Sequence, residues 1–142
     1  MLCSEIMKNG VECVSPEYPV EVAARKMRDY NIGFLPVCDQ ALQVVGVITD
    51  RDIAIRVVAS GRPGSTAIRD VMTNEVVACK PGDDVSKAER MMGAHQKSRI
   101  MCIDDDGKLV GVISLSDIAQ REDSEQAAET MKQVSQREAR VA

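Results

Sequence analysis

Thr49-Asp50-Arg51-Asp52 closes the apolar run "VVGVI" with a hydroxyl, two carboxylates and a guanidinium. Four kinds of chemistry are open to such a set: a catalytic acid pair, a metal site, a clamp for a phosphorylated sugar, or an ordinary helix cap. An acid pair of the glycosidase type needs a general acid and a base flanking a substrate. Asp50 and Asp52 instead point in different directions at a helix start, with Arg51 between them. One histidine, His95, supports no Ser-His or Cys-His constellation, and no Gly-x4-Gly-Lys phosphate loop is present. No catalytic residue is assigned, and the chain is expected not to be an enzyme.

The set has a partner. "LVGVISLSDIA" follows "VVGVITDRDIA" by 65 residues, setting Ser114 and Asp117 on Thr49 and Asp52. A Ser or Thr with an acidic residue three positions on caps a helix, an arrangement worth on the order of 1 kcal/mol. The same hydroxyl and carboxylate, set at a strand end beside first-turn N–H groups, suit a phosphorylated sugar. An ionised Asp accepts from two vicinal hydroxyls, and the hydroxyl and amides suit phosphate oxygens. Cap and clamp are compatible, and the sequence leaves both open. The second copy replaces Asp50 and Arg51 by Leu115 and Ser116, so Arg51 belongs to the first site alone.

The elements that must position these residues repeat with the same offset. Met7 falls on Met72, Asn9 on Asn74, Val11 on Val76, Pro16 on Pro81, Val20 on Val85, Ala23 on Ala88, Met27 on Met92 and Asp39 on Asp104; about a third of positions match. Each copy reads as strand, helix, strand, strand, helix. "VECV" is a short strand ended by Ser15-Pro16, and Val20, Ala23, Ala24 and Met27 recur at helical spacing. "FLPVC" and "VVGVI" form a hairpin, and the helix from about Asp50 stops at Gly61, which suits a left-handed cap. In the second copy Val85, Ala88 and Met92 share a helix face. Asp106-Gly107 predicts a tight hairpin in which both central residues take positive φ, and "DDDGK" reads as a solvated turn because no further cation ligands follow at a recognisable spacing.

The expected organisation is a first repeat over 1–61, a linker over 62–66 through "RPGS", a second repeat over 67–121, and a helical tail over 122–142. A unit of this size buries too little surface alone, so the copies are expected to pack on one another with two equivalent clefts between them. In the tail, Ala127, Met131 and Val134 form a narrow apolar stripe for docking on the protein itself. Both signs of charge on its polar face speak against a membrane surface.

Composition narrows the classes further. No apolar run approaches bilayer length and the N-terminus lacks a signal-like pattern, so a cytoplasmic protein is expected. A net charge of −4, scattered basic residues and an aromatic content of 2% give no face for nucleic acid. The five cysteines are odd in number, lack Cys-x-x-Cys spacing and lie mostly in apolar runs, which reads as buried thiols and no metal site.

"NIGFLPVCD", "VVGVITDRDIA", "DVMTNEVVACKPGDDV" and "KLVGVISLSDIA", in this order, resemble a tandem pair of CBS domains, often called a Bateman module, from about Met1 to Arg121. The resemblance implies a mixed α/β (α+β) fold of two pseudo-symmetric βαββα repeats packed sheet to sheet, followed here by the C-terminal amphipathic helix. It also implies regulatory binding of an adenosine-containing ligand (AMP, ADP, ATP or S-adenosylmethionine), with no cofactor required. Thr49 with Asp52 and Ser114 with Asp117 would meet ribose and phosphate. The base pocket would carry over to Cys13, Val14 and Ser15 with Gly33, Phe34 and Pro36, and in the second copy to Ala78, Cys79 and Lys80 with Ser98, Arg99 and Met101. The family often has threonine where Cys13 and Ala78 stand and proline where Met101 stands, which alters the second pocket. Arg51, Arg56, Lys97 and Arg99 are the candidate phosphate contacts. A homodimer and a separate, unidentified regulated protein are implied as partners. The rival readings are a ligand-free dimerisation scaffold and a thiol or metal sensor.

Overall fold

"FLPVC" and "VVGVIT" pair because each carries apolar residues that need burial and the few residues between them can turn. In the computed structural model, which describes residues 1–121 and 124–139, they are β1 (Phe34–Cys38) and β2 (Val44–Thr49), antiparallel, with Phe34 opposite Thr49 and Leu35 opposite Ile48. Helix α1 (Cys3–Ile6) precedes them, and α2 (Val20–Tyr30) buries Val20, Ala23 and Met27 as its spacing predicts. Asn31, at φ 54°, ends α2 in the left-handed region. After β2 the chain enters α3 (Asp50–Ile53), relaxes into a π-helical turn over Ala54–Val58, and reaches Gly61 at φ 71°, where the glycine stop was expected. A 3-10 turn follows at Ile68–Asp70.

The second copy repeats the plan. β3 (Ala78–Cys79) runs parallel to β4 (Arg99–Ile103), which pairs antiparallel with β5 (Leu109–Ser114) in the order β3-β4-β5. Arg99 lies opposite Ser114 and Ile100 opposite Ile113, the register of the first copy displaced by 65 residues. In the first copy the "VECV" strand shrinks to one parallel bridge, Val14 to Val37. Helix α4 (Val85–His95) buries Val85, Ala88 and Met92, and α5 (Leu115–Arg121) follows β5.

Contacts divide the chain into residues 12–76 on one side and residues 1–11 with 77 onward on the other. These units differ from the repeat limits read along the sequence. Lys8, ahead of the first copy, bridges Val112 of β5, and Thr73, ahead of the second, bridges Val47 of β2. Each sheet is thus completed by the lead-in of the other copy. The unit of residues 12–76 centres on Val14, Leu35, Val37, Ile48, Ile68 and Val71; the other centres on Cys3, Val85, Met92, Ile100, Ile113 and Ile118. A fully buried side chain such as Ile48 or Ile113 contributes about 1.5–3 kcal/mol.

Helix α6 (Ser124–Ala139) packs on α4 and α5; residues 122–123 and 140–142 of the expected tail lie outside the described residues. Ala127 and Val134 are buried as expected, but Met131 is 48% exposed and Thr130 takes the inward place. The Thr130 hydroxyl donates to the Glu89 carboxylate at 3.1 Å, so a polar contact fixes the rotation of the helix. The tight "DDDGK" turn also differs from expectation. Gly107 has φ 83° but Asp106 stays at negative φ, because the Asp104 carboxylate gathers the Asp106 and Lys108 amides at 2.9 Å each into a wider loop.

Leu42 occupies the place of Gly107 in the first copy, at φ 64° and 58% exposed. A left-handed non-glycine residue costs roughly 1–2 kcal/mol, against roughly 0.5–1 kcal/mol for the chain entropy of a glycine. Leu42→Gly should therefore raise stability by several tenths of a kcal/mol. Urea denaturation should show the higher midpoint, and a lower one would contradict the account.

Candidate functional site

At the end of β2, Thr49 is the N-cap of α3. Its Oγ1 accepts the Asp52 amide at 3.1 Å, and its own amide donates to Asp52 Oδ2 at 3.0 Å. At the end of β5 the same reciprocal pair recurs: Ser114 Oγ accepts the Asp117 amide at 3.1 Å, and the Ser114 amide donates to Asp117 Oδ2 at 2.9 Å. The capping arrangement is therefore realised twice. It holds each carboxylate in one orientation, with Asp52 and Asp117 each only 9% exposed.

Once Oδ2 is committed to the cap, Oδ1 meets residues that sequence reasoning did not single out. Thr73 Oγ1 donates to the Asp52 carboxylate, 3.2 Å from Oδ1 and 3.3 Å from Oδ2. Lys8 Nζ lies 3.5 Å from Asp117 Oδ1. Lys8 and Thr73 are 65 residues apart, so the same lead-in position reaches the same carboxylate in both units. A glycine makes the approach possible. A Cβ on Gly46 would stand 2.6 Å from the Thr73 carbonyl, and one on Gly111 would stand 2.7 Å from the Met7 sulfur and 3.0 Å from the Lys8 carbonyl. The signal available in sequence was Gly-Val-Ile in both copies, together with the matched Met7 and Met72 just before these residues.

The expected site residues divide accordingly. In residues 12–76, β1 sets Phe34 opposite Thr49, and the Gly33 carbonyl accepts the Asp50 amide at 3.0 Å, so the Gly33-Phe34 corner adjoins the helix start. Cys13, Val14 and Ser15 lie along the other edge of β1. There Val14 donates to Pro36 at 3.0 Å and accepts from Cys38 at 2.9 Å, and its side chain joins the core. Pro36 is likewise buried. Arg51 is exposed beside Asp52. Arg56 lies with its Nε 4.0 Å from Asp52 and donates to the carbonyls of Val71 and Met72 at 3.2 and 2.9 Å, tying down the lead-in segment.

In the other unit, Arg99 faces Ser114 across the strands, and the Ser98 carbonyl accepts the Leu115 amide at 2.9 Å, matching Gly33 and Asp50. Cys79 and Met101 are almost fully buried. Lys80 pairs with Asp105 at 2.6 Å. Ala78 lies on β3 opposite Met101, and Lys97 is half-buried just before β4.

The five cysteines are free thiols. Burial, with Cys79 beside it, pushes Cys3 up to about 12, and burial with Cys13 beside it pushes Cys38 up to about 12. A hydrogen bond to Cys102, whose sulfur is 3.4 Å away, and then burial raise Cys79 as well. Thiols held protonated at neutral pH are poor nucleophiles. Among the described residues, no group of three or more His, Cys, Asp or Glu is placed to hold a metal ion. No described helix is long and apolar enough to cross a membrane.

The repeated geometry has a counterpart among known proteins. The family model of the CBS domain matches residues 3–59 and again residues 68–124. The chain belongs to the CBS-domain family. The CBS domain-containing protein YhcV of Bacillus subtilis is 36% identical over 124 residues, 87% of each chain. Hypoxic response protein 1 of Mycobacterium tuberculosis is 32% identical over 116 residues, covering 81% of this chain and 80% of that protein. A crystal structure of Hypoxic Response Protein I with two coordinated zinc ions superposes with a TM-score of 0.77 at 30% identity, over 84% of this chain and 98% of that one. The CBS domain pair of protein MJ0100, in complex with 5′-methylthioadenosine and S-adenosyl-L-methionine, superposes with a TM-score of 0.76 at 25% identity over the same shares.

Ellman's reagent at pH 7.5 should titrate Cys13, the least buried of the five thiols, in a fast phase, and release the other four only on unfolding. A fast phase of three or more thiols would contradict the burial described.

Proposed function

We propose that this CBS pair is a regulatory sensor of an adenosine-containing ligand: AMP, ADP, ATP or S-adenosylmethionine. Thr49 with Asp52, and Ser114 with Asp117, hold the ribose. One observation carries the reading: the same strand end, twice, presents a buried carboxylate fixed by its own cap. An ionised carboxylate with remaining acceptor capacity suits a pair of vicinal hydroxyls. The ligands of the MJ0100 pair, which share adenosine, support this class. Gly33, Phe34, Cys13 and Ser15, with Ser98, Arg99, Ala78 and Lys80 in the other copy, line the base side of the proposal. The buried Val14, Pro36, Cys79 and Met101 support it from within. The chain acts in the cytoplasm as a homodimer, supported by the exposed Ile55 and Val58 on the turn after α3, and passes its signal to a separate regulated protein.

A ligand-free scaffold is the second reading, favoured by the cap hydrogen bonds, which already satisfy Oδ2 of each aspartate. Binding separates the two. A ligand at about 100 times its dissociation constant adds roughly 2.7 kcal/mol of stability, or a few degrees in the midpoint for a chain of this size. Calorimetric titration should show adenosyl ligand binding, and Asp52→Ala and Asp117→Ala should each weaken their own site by about tenfold or more. If AMP, ADP, ATP and S-adenosylmethionine all leave the thermal transition and the calorimeter silent, the scaffold reading stands.

A further inference from the structure

Helix α4 differs from its counterpart α2 at two positions where α6 lies on it. Glu89, 1% exposed, stands where α2 has Ala24, and the buried Gly93 stands where α2 has Arg28. In the unit of residues 12–76, Ala24 is half-buried, Arg28 is exposed and paired with Asp29 at 2.8 Å, and no helix corresponds to α6. The repeated plan therefore closes a core without a further helix. Glu89 and Gly93 serve α6 instead. Glu89 accepts from Thr130 at 3.1 Å, and a Cβ on Gly93 would collide with the Gln133 side chain, standing 3.3 Å even from its Cβ.

The contact is also built to come apart. Among the described side chains of α6, the buried apolar ones are Ala127 and Val134. The Thr130 hydroxyl carries one proton and has a second acceptor on its own helix, the Gln126 carbonyl at 3.1 Å, which stays with it when α6 leaves α4. Glu89 then regains water, so neither group of the pair is stranded. The buried carboxylate also selects what can dock, because a helix that brings an apolar residue to this place buries Glu89 without the Thr130 donor.

We infer that α4 carries an acceptor site for an amphipathic helix, that α6 is a detachable strap seated in it, and that a partner helix of the same pattern takes the seat when the strap lifts. The pattern is a small residue, a hydroxyl three positions on and a β-branched residue four beyond that, as in Ala127, Thr130 and Val134. The site is separate from the adenosyl reading, whose failure would leave it standing.

Two measurements on the full chain test it. In hydrogen exchange of the unmutated chain, the α6 amides should exchange at least about tenfold faster than those of β4 and β5, through an opening that leaves both strands protected. In the Thr130→Asp chain a carboxylate facing Glu89 lifts the strap. A labelled peptide of residues 124–139 should bind that chain at least about tenfold more tightly than the unmutated chain, whose seat is filled. The peptide carrying Thr130→Val should bind about tenfold more weakly, the loss of a hydrogen bond to a charged group. Adding Gly93→Leu to the Thr130→Asp chain should abolish binding. If α6 exchanges only together with β4 and β5, or if Thr130→Asp unfolds the whole chain, α6 is part of the core and the strap is overturned. Peptide binding that is equal in both chains, absent from both, or indifferent to Thr130→Val and Gly93→Leu overturns the acceptor site.

Discussion

A carboxylate taken out of water must be given hydrogen-bond donors, and Asp52 and Asp117 impose that demand on both halves of the chain. Each is met first by the hydroxyl-bearing residue three positions earlier, whose amide points at Oδ2. That exchange requires the strand to end at the hydroxyl and the helix to begin there. It therefore fixes the junction of β2 with α3 and of β5 with α5. The second demand, for something to face Oδ1, is met from far away in sequence by Thr73 and Lys8. Their approach runs over Gly46 and Gly111, where a Cβ would collide with the Thr73 carbonyl in one unit and with the Met7 side chain, hard against the Lys8 carbonyl, in the other.

A cap and a ligand clamp need the same preorganised carboxylate, so one arrangement serves both without contradiction. The cap uses one oxygen and the proposed ligand the other. A ligand that displaces Thr73 or Lys8 from Oδ1 would act directly on the lead-in segment threaded to the other copy's sheet. The size of any such response is limited to the ligand's differential affinity for the two arrangements. The thiols contribute packing: Cys3, Cys79 and Cys102 belong to the core of their unit, with Cys3 and Cys79 held protonated.

Much of this is legible in the sequence alone, because a duplication lets each copy vouch for the other. The Thr49-x-x-Asp52 and Ser114-x-x-Asp117 pairs, the helix faces of α2 and α4 and the stop at Gly61 all arise from local spacing, which sequence records directly. Lys8 and Thr73 were not legible as site residues, because a β-bridge over a long separation leaves no periodic trace. The mismatch between repeats and packing units has the same origin. Thr130 replaced Met131 on the buried face of α6 because the Glu89 carboxylate needed a donor, a tertiary demand that apolar spacing does not encode. The left-handed Leu42 was hidden in the same way, its turn signal visible only in the other copy as Gly107.

The central claim is that the two capped carboxylates are where an adenosine ligand is held. Amide chemical-shift mapping on the 15N-labelled chain during addition of AMP tests it most directly. The account predicts that the largest shifts fall on the amides of Thr49, Asp52, Ser114 and Asp117 and on the Lys8 and Thr73 segments. Shifts concentrated on α6 or on the Asp104–Lys108 loop, with these amides unmoved, would contradict it.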